Sequence, residues 1–408
     1  MDILHSGFDK LEVSFSGAVP RSVRVALNEA KERAIATGIP EFIDLRGVQC
    51  WVKDKGASGG YEFVIDTGAD GEMWAFKNSD DPTEWNFRAV VSSARCAMDG
   101  WAGVRDRLRG QLDAWGVKRP KEQREAALAR IDYAVDFISD GFSVDPARMV
   151  CHSRATVAEH ESTSLDVHWK NREVSSVTVG KMPGRQVIVY DKTREIAATG
   201  KREQWQAVWG FCPMKGARVW RVEVRAGKDH LTRSGIRTFE DAEASLGTLF
   251  REAMEKIRLV VSADVGNITR ALTVPEWRLC TAAVAVCIAG AHSAVDASRV
   301  VEGRRDDLGR VYRQQIIGCM VAYAHTLGRG VGDFIDKMPG EIAQDLQLVF
   351  GEDQSSLVYK FRRASARLKF IDDPPNHDDK ERGFSDAAAR SLRLFRSFTG
   401  GFDAAECG

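Results

Sequence analysis

The sequence predicts an α+β protein: an antiparallel sheet followed by a mainly helical C-terminal region. Three observations predict it. Segments of alternating apolar and polar residues recur between residues 10 and 225, Gly- and Pro-bearing turns join several of them as hairpins, and beyond Gly235 the apolar spacing becomes helical. The composition agrees, since 408 residues at 44% hydrophobic and 28% charged, with 36 Gly and 11 Pro, exclude a collagen-like or disordered chain. At about 150 residues per domain the length suits two or three domains.

The elements follow in order. Residues 10–16 (KLEVSFS) alternate and form a strand, and 22–37, after Pro20, carry apolar residues at helical spacing as far as Gly38. Short runs at 48–52, 61–66, 72–77 and 85–92 read as strands, with 67–71 (TGADG) as a hairpin connection. A helix is expected over 103–115. The polar residues 119–124, with Pro120, make a linker. The chain then divides into an N-terminal α+β region (1–118), a second α+β region (119–235) and a helical region (236–408). In the second region 128–138 (LARIDYAVDFI) alternates strictly from Ile131 and becomes a strand, although the preceding KEQREAA favours helix. Residues 173–180 and 185–191 flank Met182-Pro183-Gly184 as a hairpin, and 218–225 (RVWRVEVR) is the cleanest alternating strand. Helices are expected over 239–261, 275–291 and 312–326, then an acidic break at 372–379 and a short helix from Ser385. The strand, helix and hairpin of the first region are echoed by a strand, connection and hairpin in the second. A duplicated unit and chance repetition both produce such an echo.

Several function classes drop out. The eight cysteines, at 50, 96, 151, 212, 280, 287, 319 and 407, include no CxxC pair, which excludes a zinc ribbon and a dithiol redox motif. Most stand in apolar contexts and read as buried free thiols of a reducing cytoplasm. The N-terminus shows no export signal, and the longest apolar stretch, 279–291, is too short to span a bilayer. A cytoplasmic protein with no membrane partner is expected. The sequence lacks a GxxxxGK[ST] phosphate loop and a GxSxG elbow, and His160-Glu161 has no second His to make a zincin. The zero net charge conceals a basic stretch: residues 181–235 hold twelve Lys or Arg against five acids, a net +7. That surplus suits a phosphate backbone or a solvated face.

Three strands then carry polar groups on one face each. Side chains repeat every second residue, so Asp132 and Asp136 oppose Ile131, Tyr133, Val135 and Phe137. Glu223 lies between Arg221 and Arg225, opposite Trp220, Val222 and Val224, and Tyr190 shares a face with Ile188 and Lys192. Set side by side, these strands would gather carboxylates, a tyrosine and cations. Carboxylates so gathered bind Mg²⁺ or Mn²⁺, and a phenol beside a metal-bound phosphate is a nucleophile for phosphoryl transfer. Lys192 and a metal nearby would favour the phenolate. The duller readings are a packed strand tyrosine, solvated or ion-paired aspartates, and a surface ion-pair ladder around Glu223.

Taken together, GFDKLEVSF (7–15), GYEFVID (60–66), ARIDYAVDF (129–137), SSVTVGKMPGRQVIVYDKTRE (175–195) and WRVEVRA (220–226) resemble the replication initiation factor family. These are the rolling-circle initiators of plasmids and phages and the related relaxases of conjugative elements. The family's R-φ-D-φ-φ-φ-D strand matches Arg130, Asp132 and Asp136; its hairpin glycine matches Gly180. The Y-[DN]-K-x-x-E motif matches Tyr190, Asp191, Lys192 and Glu195, and a W-x-R-x-E-like strand matches Trp220, Arg221 and Glu223. The resemblance covers residues 3–230 and leaves the helical third without a motif. It implies a DNA nicking–joining enzyme that uses acidic residues where other nicking enzymes use a His pair; Asp166-Val167-His168 is only half of such a pair, and His168 is read as structural. On this reading Tyr190 attacks one phosphodiester of origin DNA (single-stranded or hairpin), giving a 5′-phosphotyrosyl link and a free 3′-hydroxyl. Asp132 and Glu223, with Asp136, hold Mg²⁺ or Mn²⁺, while Lys192 and the basic stretch, through Arg185, Arg194, Arg221 and Arg225, position the backbone. A relaxase starting conjugative transfer and a non-catalytic DNA-binding regulator are the alternatives. A helicase and a second copy of the chain are the further partners it leaves open.

Overall fold

The computed structural model describes residues 1–118, 126–139, 141–151, 165–170, 172–213, 216–263, 270–285, 295–351 and 354–370. The chain opens with β1 (Asp2–Phe15) and α1 (Arg21–Thr37). β2 (Glu41–Leu45), β3 (Val48–Val52), β4 (Phe63–Asp66), β5 (Glu72–Phe76) and β6 (Phe87–Val91) then lead into α2 (Ser93–Trp115). Next come β7 (Ala126–Ile138), β8 (Met149–Cys151), β9 (Leu165–Lys170), β10 (Glu173–Gly180) and β11 (Arg185–Asp191), then α3 (Lys192–Thr199), α4 (Arg202–Trp209), β12 (Val219–Gly227) and α5 (Lys228–Arg233). The remainder is α6 (Phe239–Lys256), β13 (Ile257–Leu259), α7 (Pro275–Ala285), α8 (Ala297–Thr326), α9 (Val331–Phe350) and α10 (Gln354–Leu368). This is the expected α+β class with a helical C-terminal region.

One antiparallel sheet of eleven strands runs β2-β3-β4-β5-β6-β1-β7-β12-β11-β10-β9. It reads outward from β1 as β6, β5, β4, β3, β2 and outward from β7 as β12, β11, β10, β9. Each half sets its first strand at the centre beside its last, so the echo in the sequence has a counterpart in topology. The long β1–β7 pairing joins the halves and carries bulges near Asp9 and elsewhere.

The alternation in β7 sorts the two faces. Ile131, Tyr133, Val135 and Phe137 enter the main core, where α2, α6 and α7 supply Trp101, Leu108, Phe239, Phe250 and Trp277. The opposite face keeps the charged residues. Over one end of it α3, α4 and α8 close, with Ile196, Trp205, Val208, Trp209 and Val300 in a smaller core. The Asp307 carboxylate on α8 accepts from the backbone N–H groups of Glu203 and Gln204, both at 3.0 Å, and so caps α4. The helical region thus supports both faces. Among the described residues no helix is long and apolar enough to cross a membrane.

Several boundaries differ from expectation, for local reasons. β1 starts at Asp2 rather than residue 10, because the Asp9 bulge breaks the alternation that marks a strand. α2 starts ten residues early, at Ser93, N-capped by Ser92, and its helical geometry breaks at Gly100 (φ 64°, ψ −171°). α6 stops at Lys256, because the following Ile257–Leu259 pairs with β8 instead. α8 begins at Ala297, fifteen residues before the expected start, with Asp296 as its cap. β2, α3 and α4 were not expected. Cys50, Cys96 and Cys280 are buried as expected, but Cys151, Cys212 and Cys319 are exposed. The linker at 119–124, residues 286–291 of the apolar stretch, the acidic break, the helix from Ser385, Cys287 and Cys407 lie outside the described residues.

Candidate active site

Directly paired residues of an antiparallel ladder share a face, so the registers align the polar face in rows across β1, β7, β12 and β11. The first row is His5, Asp136, Arg221, Tyr190; the second is Gly7, Ala134, Glu223, Ile188; the third is Lys10, Asp132, Arg225, Gln186. Ser176 and His168 extend the first row onto β10 and β9, where His168 is exposed. The three polar strands therefore do stand side by side with their polar faces aligned.

Tyr190 is the last residue but one of β11, and its phenol oxygen lies 3.5 Å from Glu223 Oε2 on the neighbouring strand. Asp191 then N-caps α3, accepting from Arg194 N–H at 3.0 Å, and Glu195 one turn on pairs with Lys192 at 2.7 Å. The Tyr-Asp-Lys-x-x-Glu run is thus a strand end, a helix cap and an ion pair that fixes the lysine. Gly180 makes the hairpin possible: at φ +94° a Cβ would meet the Arg185 carbonyl oxygen at 2.1 Å.

The Lys192 ammonium stands 4.0 Å from the Trp205 ring centre and 5.8 Å from that of Tyr190. Burial pushes the Tyr190 phenol well above its ordinary range; Arg221 opposes this and Glu223 adds to it. The phenol is therefore protonated at neutral pH and needs a base at the moment it attacks.

The carboxylates separate into two groups. Asp132 and Glu223 are both 1% exposed. Arg130 donates to Asp132 at 2.6 Å through Nη2, and Arg225 donates to Glu223 at 2.6 Å while standing 3.8 Å from Asp132. Burial pushes the Asp132 carboxyl up to about 6, against its bond to Arg130 and with the charge of Glu223 adding to the rise. Asp136 belongs elsewhere. Arg221 Nε and Nη2 grip it at 2.5 and 2.8 Å, Trp209 Nε1 donates to it at 2.8 Å, and Arg221 Nη1 holds Asp9 at 2.6 Å. Burial works to raise the Asp136 carboxyl, but the guanidinium outweighs it and holds the carboxyl below its ordinary range.

The donor set decides what cation the site fits. Among the described residues no group of three or more His, Cys, Asp or Glu side chains is placed to hold a metal ion. Asp132 and Glu223 offer two buried, mutually repelling carboxylates, which suits a Mg²⁺-type ion that takes its other ligands from water and substrate phosphate. Asp136 is not brought to them.

The expected phosphate contacts scatter. Arg221 is 1% exposed and lies 4.3 Å from the Trp205 ring centre, inside the Asp9–Arg221–Asp136 group. Arg194 pairs with Glu173 and Asp191, and Arg218 joins it on Glu173 at 3.2 Å. Arg185 starts β11, about 17 Å along the strand from Tyr190. There, burial and then Arg185 and Arg233 lower the His230 imidazole to about 4. The arginines expected to position the backbone therefore stand in separate places. Sequence reasoning missed Asp9, whose signal was the break in alternation at Phe8-Asp9-Lys10. It also missed the Trp205/Trp209 pair, whose i,i+4 spacing on α4 was legible.

No family model matches the chain, and no curated protein does. A solved structure described as that of a rolling circle replication initiator protein from Geobacillus stearothermophilus is similar at a TM-score of 0.39 and 14% identity, covering 69% of this chain and 97% of its own. A likeness of that size decides nothing about chemistry.

Proposed function

We propose that this protein initiates rolling-circle replication by cutting and rejoining one DNA strand through Tyr190. The observation that carries the reading is the Tyr190–Glu223 pair beside the buried Asp132 carboxylate on one sheet face. Tyr190 Oη attacks phosphorus as its proton passes to Glu223. The bond from phosphorus to the 3′ oxygen breaks, leaving a 5′-phosphotyrosyl link, and the departing oxygen takes a proton from water as the free 3′-hydroxyl. The 3.5 Å contact is long for proton transfer, and such contacts tighten when substrate binds. Asp132 and Glu223 would hold a divalent cation, which when bound supplies positive charge to the phosphate oxygens. Arg225, paired with Glu223 and 30% exposed, reaches solvent beside them and offers a backbone contact. Rejoining is the reverse, with a 3′-hydroxyl attacking the phosphotyrosine.

Glu223→Gln tests the proton acceptor. It keeps the shape and removes the base, so strand cleavage should fall by at least a hundredfold, within the usual reach of general-base catalysis. Cleavage at the wild-type rate by E223Q would remove Glu223 from the chemistry.

A further inference from the structure

We infer that a cavity beside the charged rows receives one unpaired nucleotide of the bound strand; the inference rests on the strand-cleaving reading and extends it. The cavity of about 340 Å³ lies between β1, the break in α2 at Gly100, the end of α4 and the start of α8. That size is at the small end of ligand pockets, enough for a base and its sugar and too small for a duplex.

Its walls suit a nucleotide. Phe8, Ala97, Ala207 and Trp209 are apolar lining, and the Trp209 indole is pinned by its bond to Asp136. His5 enters from β1, and burial lowers its pKa against the pull of Asp136, so the ring is neutral and presents one donor and one acceptor. Arg299 stands exposed at the mouth, where it can meet a phosphate. Asp296, also at the mouth, is occupied in accepting from the N–H groups of Ser298 and Arg299.

The second row connects this cavity to the tyrosine. Gly7 lines the cavity, Ala134 is its neighbour on β7, and Glu223 follows on β12. Two strand spacings, about 10 Å, separate Gly7 from Glu223. The His5 imidazole stands over Gly7, its Nε2 2.9 Å from where a Cβ would sit, and Ala134 is 1% exposed, so that ring covers the stretch between the two sites. A single strand with its phosphate at Tyr190 would set its neighbouring nucleotide in the cavity against the His5 ring.

The probe is a fluorescent oligothymidylate, compared with the same strand made abasic, both titrated into the full chain by anisotropy. Ala207→Phe fills the cavity from half-exposed α4, and Arg299→Ala removes the mouth cation from the surface. Oligothymidylate should bind A207F roughly tenfold more weakly than wild type, the loss of one stacked base. The abasic strand should bind both proteins alike. R299A should flatten the log–log salt slope by about 0.7, one phosphate contact on a single strand. If A207F does not fold, the wild-type comparison of the two strands and the R299A slope carry the test. Equal wild-type affinity for both strands, or a folded A207F that binds oligothymidylate as wild type does, would overturn the inference. If these binding effects appear while wild type forms no tyrosyl adduct, the cavity stands and the cleavage reading falls. If the adduct forms without them, the cavity alone falls.

Discussion

Asp132 and Tyr190 show how one buried environment sets two titrations. The Asp132 carboxyl is raised from its unfolded value near 3.8 to about 6, so between those values the folded chain holds a proton that the unfolded chain has released. Stability from this group is therefore greatest at low pH and is lost as pH rises through that window. The resulting penalty above pH 6 is about 3 kcal/mol. Asp132→Asn removes the titration, so its melting temperature relative to wild type should climb between pH 4 and pH 7; a difference independent of pH would show that Asp132 is not raised. Divalent cation should protect the wild type only once Asp132 is ionised, above about pH 6. Tyr133 lies on the apolar face with its hydroxyl 2.9 Å from Ser6 Oγ, away from both acids.

At the scale of elements, β1, β7 and β12 are tied by the Asp9–Arg221–Asp136 group as well as by their ladders. Arg221→Met would leave two carboxylates without their cation, one of them fully buried, and should cost about 3–5 kcal/mol. A denaturant melt reads this directly. An R221M protein of normal stability that had lost DNA affinity would instead return Arg221 to the phosphate. The strands were legible because Ile131–Phe137 and Trp220–Val224 alternate without interruption, and periodicity reports which face is buried. Asp132 and Glu223 were legible as a pair for the same reason. That Arg221 and Asp136 would satisfy each other was not legible, since their meeting depends on the register between strands more than eighty residues apart in sequence. Nor was the covering of that pair by α4, which depends on Asp307, about a hundred residues further on.

Across the whole molecule, β1, β7, β12 and β11 carry the polar face, and α3, α4 and α8 close over one end of it. Electrostatics at this scale depend on which cations remain at the surface. Substituting Arg225, 30% exposed beside the two acids, by Gln should reduce the salt slope of single-strand binding by about 0.7, one contact's worth, whereas Arg194→Gln, held by Glu173 and Asp191 instead of those acids, should leave it unchanged. Equal effects from both would return Arg194 to the phosphate contacts. The central claim is that Tyr190 becomes joined to DNA, and the most direct measurement is a denaturing gel of 3′-labelled single strands of randomised sequence incubated with the chain and Mn²⁺. The wild type should carry label into a protein band that nuclease trims and heat in detergent does not remove, and Tyr190→Phe, which retains the ring but lacks the attacking oxygen, should carry none. An adduct of undiminished intensity on the folded Y190F protein, or none on the wild type, would contradict it.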